Sequence, residues 1–371
     1  MGRAQKHIDR HFLFTTLTLV FIGVFVFSSA SLGLLARGEE RFSDVIFSQF
    51  ILGLGGGLIV MTILMRIPYR TYRTYAPHIF GFGLFLTSLV FLPVIGVEAN
   101  GARRWLSIFG ISFQPAEFLK IAFVIFMAWY YSMYYRKLSD IKYALGGLIL
   151  ALSLISVLLL LQPDIGTFLI IGATGVAIAI TAGIQFRYLS AFIALGLLGI
   201  VVLVFSMPYV QKRVETLLDP SKDPDASYQI NQSLIGIGSG GLFGRGFGQG
   251  VQKFTYLPEP SSDSIFSVAA EEFGFFGSVI FVLLYVYFAL RGLFIASRAP
   301  DRFGGLIVVG IVILITTQSF INIGSVVGLI PFTGEPLTFI SHGGTSLMFT
   351  LAGVGIVLNI SRYKTPRRAR I

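Results

Sequence analysis

Runs of about 20 predominantly apolar residues, the length a helix needs to cross the hydrocarbon core of a bilayer, recur ten times along this chain. They cover 12–35, 45–65, 77–97, 115–135, 143–161, 165–184, 188–206, 265–296, 303–329 and 337–360. Lipid offers the backbone no water to bond, so such runs satisfy their own N–H and C=O groups as helices. The expectation is an all-α polytopic membrane protein of about ten transmembrane helices, a single integral domain over 1–371. With 54% of residues hydrophobic and only 12% charged, a soluble domain is excluded. There is no cysteine, which removes disulfides, thiolate metal sites and a cysteine nucleophile. His7, His11, His78 and His342 are too scattered for a zinc site. The lead-in MGRAQKHIDRHF lacks a short apolar core with a small-residue cleavage site, so the first helix is expected to stay uncleaved.

The distribution of cations gives a sidedness. An even number of spans puts both termini on one face, and that face collects Arg66, Arg70, Arg73, Arg136, Lys137, Lys142, Arg187, Arg291, Arg298 and Arg302 besides the basic residues of the termini. The opposite short loops hold Arg37, Arg41, Arg103 and Arg104 alone. By the positive-inside rule both termini are cytoplasmic. The net charge of +10 then fits loops facing anionic lipid, not nucleic acid. The Gly-, Pro- and Asp-rich stretch 207–264 becomes a large extracytoplasmic loop between helices 7 and 8, and most of the acids fall on the exterior half, several inside apolar sequence where charge is expensive.

Four exterior clusters carry candidate chemistry. In GARRWLSIFGISFQPAEFLK, Pro115 suits a first helical turn, and Glu117 and Lys120 follow on one face, either as an internal ion pair or as site residues. In QPDIGT, Asp164 suits an N-cap. In the long loop, Gly236, Gly238 and Gly241 have GxGxxG spacing, but no βαβ unit surrounds them and a dinucleotide fingerprint is rejected. Those glycines are read as backbone bends, and Arg213, Arg245 and Lys253, each taken singly, as solvated loop charges. In PEPSSDSIFSVAAEEFG, Asp263 suits an N-cap. On a helix starting there Glu271 lies two turns deeper and about 80° round, with Glu272 nearly opposite. Glu271 is therefore expected to face a polar cavity, and Glu272 a partner or backbone group. Such a cavity suits a substrate with one end in lipid and a polar head outside, a carboxylate serving as general base and cations holding a pyrophosphate leaving group.

These stretches, with YQINQSLIGIGSGGLFGRGFGQGVQKFTYLPEPSSDSIFSVAAEEFG and GEPLTFISHGGTSL, resemble the SEDS family (shape, elongation, division and sporulation) in matching order over nearly the whole chain. The short N-terminus and the MRIPYRTYRTYAP link look like its elongation branch. The resemblance implies a peptidoglycan glycosyltransferase that polymerises lipid II on the outer face of the bacterial cytoplasmic membrane beside a class B penicillin-binding protein. It puts the family's essential aspartate on Asp263, cavity residues on Glu117 and Lys120, the QPD aspartate on Asp164 and the RW pair on Arg104 and Trp105. Arg104, Lys120 and Arg213 would hold pyrophosphate or peptide charge; whether a divalent cation joins them is left open. Ser264, His342 and Glu335 depart from the family pattern, with His342 read as a packed substitute for Tyr. The rival is a lipid II flippase, which would show midplane polar residues and repeated halves.

Overall fold

The structure is a computed structural model describing residues 7–36, 42–99, 102–108, 111–219 and 224–363. Arg37, Arg41, Lys222 and the basic residues of positions 1–6 and 364–371 lie outside the described residues. Among the described residues ten helices are long and apolar enough to cross a membrane. The first is α1 (Arg10–Ala36). The second is composite: α2 (Phe42–Phe47), a π-helical stretch Ser48–Gly56, and α3 (Gly57–Arg66). The π turn turns buried Gln49 into the bundle, where it donates to Ser341 O (3.2 Å) and accepts from Gly343 N (3.1 Å). Then come α4 (Tyr69–Ser88), α5 (Pro115–Met133), α6 (Ile141–Leu161), α7 (Ile165–Ala182) and α8 (Phe186–Ser206).

Three features differ from the sequence expectation. Helix α4 starts at Tyr69, ahead of the expected 77, because the YRTYRTY segment is amphipathic and its Arg and Tyr ends can reach the interface; Pro77 lies inside the helix. The last span, α14 (Gly344–Ser361), starts after the expected 337. Residues 327–343 form an irregular loop whose carbonyls are bonded by side chains of the bundle: Gln318 to Pro336 O (3.2 Å), Asn322 to Glu335 O (2.7 Å) and Arg213 to Thr333 O (3.1 Å). Non-helical backbone at this depth is tolerated because protein satisfies it. The stretch 207–264 is not an open loop. It folds into α9 (Pro208–Leu218), α10 (Pro224–Ser239) and the single turn α11 (Gln252–Thr255).

Between α4 and α5 an antiparallel sheet β1–β2–β3 (Gly96–Ala99, Ala102–Ile108, Ile111–Phe113) pairs Val97 with Trp105 and Leu106 with Phe113. The spans α12 (Ile265–Ser297) and α13 (Arg302–Val326) precede α14. Helix α12 is broken at Gly274 (φ 67°, ψ −166°), conformational space that only glycine enters readily. At the break Phe275 N and Phe276 N turn to Gly241 O (2.9 Å) and Leu242 O (3.2 Å). Nearly every residue of α14 is buried, at the centre of the bundle, and most of α13 is buried, whereas α8 buries only Leu189 and stands at its edge.

Candidate active site

Proline at the first position of α5 fixes the helix start and costs no hydrogen bond. The next turn then carries Glu117 and Lys120, three residues apart and both buried. Lys120 Nζ donates to Glu117 Oε1 (2.8 Å) and to Gln318 Oε1 on α13 (2.7 Å). This is an internal pair, but a cross-linked one: it fixes α5 against α13 and against the 327–343 loop beyond Gln318.

Asp164 caps α7, accepting from Thr167 N (3.3 Å). The Thr167 hydroxyl lies 3.0 Å from Asp164 Oδ2 and 2.8 Å from Glu335 Oε1. One hydroxyl proton cannot serve two carboxylates. Burial first, then the charge of Asp164, pushes the Glu335 carboxyl up to about 7. In its neutral form Glu335 donates to Thr167 Oγ1, which releases the threonine proton to Asp164.

Arg104 on β2 straps the turn before α7. Its guanidinium donates to Gln162 O (3.2 Å) and Pro163 O, and stands 4.0 Å from Asp164 Oδ1. Arg213 reaches in from α9, its guanidinium 4.4 Å from the Tyr209 ring centre. Burial lowers it from its usual range; Tyr209, Asp164 and Asp263 act in the other direction. Arginine stays charged even so.

Asp263 lies just before α12, partly exposed. It does not cap that helix. The helix begins at Ile265, the capping position belongs to Ser264, and no side chain caps it. The Asp263 carboxylate instead accepts from the Ser262 hydroxyl (2.7 Å), and its main-chain oxygen accepts from Asn322 Nδ2 (2.8 Å). Burial raises the Asp263 carboxyl above the usual carboxylate range, opposed by the Ser262 hydrogen bond and by the charges of Arg213 and Arg104. Arg104, Asp164, Arg213 and Asp263 thus share one electrostatic neighbourhood, with Glu117, Lys120 and Glu335 beneath.

Glu271 requires a correction. It is fully buried, and its carboxylate accepts from Val251 N (2.9 Å) and Gln252 N (3.1 Å), with Arg245 Nε 3.6 Å away. It anchors the 245–252 backbone and does not face the Asp263 carboxylate: Asp263 lies outside the helix, so an azimuth counted from it does not carry to Glu271. Lys253 is no solvated charge either: it is wholly buried, donating to Ser29 Oγ (2.6 Å) and to Glu272. Gly236 and Gly238 lie within α10; of the three glycines in GxGxxG spacing, Gly241 alone takes a bend conformation (φ 56°). His342 is half-buried and stacked on Phe27 (ring centres 6.1 Å), and desolvation lowers its imidazole to about 4. Sequence reasoning gave no role to Glu335, Gln318 or Asn322. The available signal was an acid between Gly334 and Pro336, and two amides four apart on one face of α13.

The cell cycle protein family of FtsW, RodA and SpoVE matches residues 9–366. The chain belongs to that family. Stage V sporulation protein E of Bacillus subtilis is 39% identical over 354 residues, covering 94% of this chain and 95% of its own. A probable peptidoglycan glycosyltransferase FtsW of Geobacter sulfurreducens is 38% identical (97% and 98% covered), and the peptidoglycan glycosyltransferase MrdB of Escherichia coli 34% (97% and 95%). Among solved structures, a chain of a peptidoglycan synthase complex that coordinates polymerization and crosslinking superposes with a TM-score of 0.79 at 28% identity, covering 97% of this chain and all of that one. The rod shape determining protein RodA of Thermus thermophilus gives 0.71 at 26% identity, with 97% and 99% covered. This family member is accordingly a multi-pass membrane protein, as its ten apolar helices require.

Proposed function

We propose that this protein is a peptidoglycan glycosyltransferase that polymerises lipid II at the outer face of a bacterial cytoplasmic membrane, with Asp263 as the general base. The observation that carries this reading is the placing of Asp263: a partly exposed carboxylate just before α12, its backbone held by Asn322, in one electrostatic neighbourhood with Arg213 and Arg104. In the step proposed, Asp263 takes the proton from the GlcNAc 4-hydroxyl as that oxygen attacks C1 of the MurNAc on the growing chain. The C1–O bond to pyrophosphate breaks on the opposite side, inverting the anomeric carbon. The electron pair leaves on the pyrophosphate, whose charge Arg213 and Arg104 offset. Lys120, held by Glu117 and Gln318, supplies a fixed positive charge below the reacting atoms, and Asp164 sets the position of Arg104.

A class B penicillin-binding protein is the proposed partner, in keeping with the synthase complex to which the fold is similar. A role in elongation rests on the MRIPYRTYRTYAP link, since identities of 39, 38 and 34% to SpoVE, FtsW and MrdB do not separate the branches. The test is polymerisation of fluorescent lipid II by purified protein in detergent, alone and with the cognate penicillin-binding protein, read on a gel. A flippase gives no polymer where there is no compartment. Asp263→Asn should abolish polymer while retaining the melting temperature; polymer at the wild-type rate would remove Asp263 from the base role.

A further inference from the structure

At the end of the bundle opposite Asp263, the start of α1 and the ends of α3 and α14 enclose an open cavity of about 780 Å³. Its charged lining is Arg10, Arg66 and Arg362, with His7 beside them, and its floor is apolar: Ile8, Leu13 and Met65. The acid nearest in sequence, Asp9, is engaged by Arg291 through two bonds of 2.9 and 2.7 Å. The walls are tied together. Asn359 Nδ2 donates to Met65 O (2.7 Å), Asn359 Oδ1 accepts from Tyr69 N (3.0 Å), and Asp9 N donates to Ser361 Oγ (3.0 Å).

The helices that line the cavity carry exposed apolar residues beside it. On α1, Arg10 begins a stripe at helical spacing through exposed Phe14, Leu17 and Phe21. On α3, Arg66 ends one through exposed Ile59 and Ile63. Two apolar stripes thus run from two arginines into the hydrocarbon layer, and a third arginine closes the pocket above them. A soluble anion needs no such stripes, and an acyl chain needs no arginines. We propose that this cavity binds one anionic glycerophospholipid, its headgroup phosphate among Arg10, Arg66 and Arg362 and its acyl chains along the Phe14 and Ile63 stripes. Clusters of basic residues at the charged face of a membrane protein recognise anionic headgroups in this way. The site is separate from the polymerisation basin and does not depend on it.

Native mass spectrometry of the full chain, released from detergent and titrated with phosphatidylglycerol, phosphatidylcholine or inorganic phosphate, tests this. Wild type should prefer phosphatidylglycerol. Each arginine charge contributes about fivefold, so R66Q alone should weaken phosphatidylglycerol about fivefold and R10Q/R66Q/R362Q about 100-fold, to the phosphatidylcholine level. A control triple, R136Q/K137Q/R187Q, removes equal charge from the same face and should bind as wild type. Retained binding by the arginine triple, or equal loss in both triples, overturns the site in favour of diffuse surface charge. Inorganic phosphate binding as tightly as the phospholipid overturns it in favour of a free anion. If the arginine triple does not fold, R66Q decides: that side chain is exposed, and an unchanged affinity in this variant overturns the proposal.

Discussion

A carboxylate that must accept a proton gains basicity from burial but loses rate if it is neutral at working pH, and Asp263 sits between these limits. Burial raises its carboxyl while the Ser262 hydroxyl, 2.7 Å away, favours the charged form. A base works only when deprotonated, so turnover should rise with pH through this raised value. Ser262→Ala removes the opposing hydrogen bond and should shift the acid limb of the pH–rate profile to higher pH with the plateau retained. An unmoved limb would mean that another group is being titrated. Glu335 allows a test free of turnover. Its carboxyl is raised from 4.5 to about 7, so the fold favours the neutral acid. The stability this contributes is fully present below about 4.5 and lost as pH rises through about 7. Glu335→Gln should therefore raise the melting temperature at pH 8 and flatten its dependence between pH 5 and 8. A melting curve as pH-dependent as that of wild type would assign the titration elsewhere. The acids of this site were visible in the sequence because charge in apolar sequence stands out. Their partners were not: Gln318 and Asn322 are ordinary polar residues on a helix, and only the fold brings them to Lys120 and to the Asp263 backbone.

At the scale of elements, the spans were legible because apolar length is a strong constraint, and their ends were not, because amphipathic turns and irregular buried backbone carry no such constraint. YRTYRTY and PLTFISHG are the two cases: one starts a helix despite its polarity, the other is apolar and not helical. The break in α12 was also invisible, since Gly274 sits inside a run that reads as one continuous apolar span. Gly274 makes that break possible. A Cβ at this position would lie 2.2 Å from Gly244 N, in addition to the strain of its dihedral angles. Gly274→Ala should cost at least about 2 kcal/mol and loosen the 240–246 segment. Gly238→Ala is the control: it lies within α10 with nothing within 4 Å of the added carbon, and should be neutral or stabilising by up to about 1 kcal/mol. Thermal unfolding with hydrogen exchange over 240–255 reads both. Equal tolerance of the two substitutions would show that α12 can run on without the break.

Over the whole molecule, chemistry and charge separate along one axis. Helices α5, α7 and α12 start at the end where α13 finishes, so Lys120, Asp164, Asp263 and Asn322 gather there. The sheet lies at the same end, because Arg104 of β2 bonds the turn before α7. Arg10, Arg66 and Arg362 mark the other end. Sidedness was inferred from counting cations, and a polymerase of the outer face needs the Asp263 end outside. Absence of cysteine from the sequence makes this directly measurable, since a single introduced thiol has no background. Glu98 on β1 has half of its side chain exposed (54%), and Lys142 at the start of α6 is exposed as well. In intact cells a membrane-impermeant maleimide should label Glu98→Cys at once and Lys142→Cys only after permeabilisation. Short loops poor in Lys and Arg are the ones translocated, and this is the physical basis for the expected order. Reversed labelling would put Asp263 in the cytoplasm and end the outer-face polymerase reading, although the internal geometry of the basin would stand. Labelling of both thiols in intact cells would mean that β1 and the α5–α6 connection share one side, and would reduce the number of spans between them to an even count.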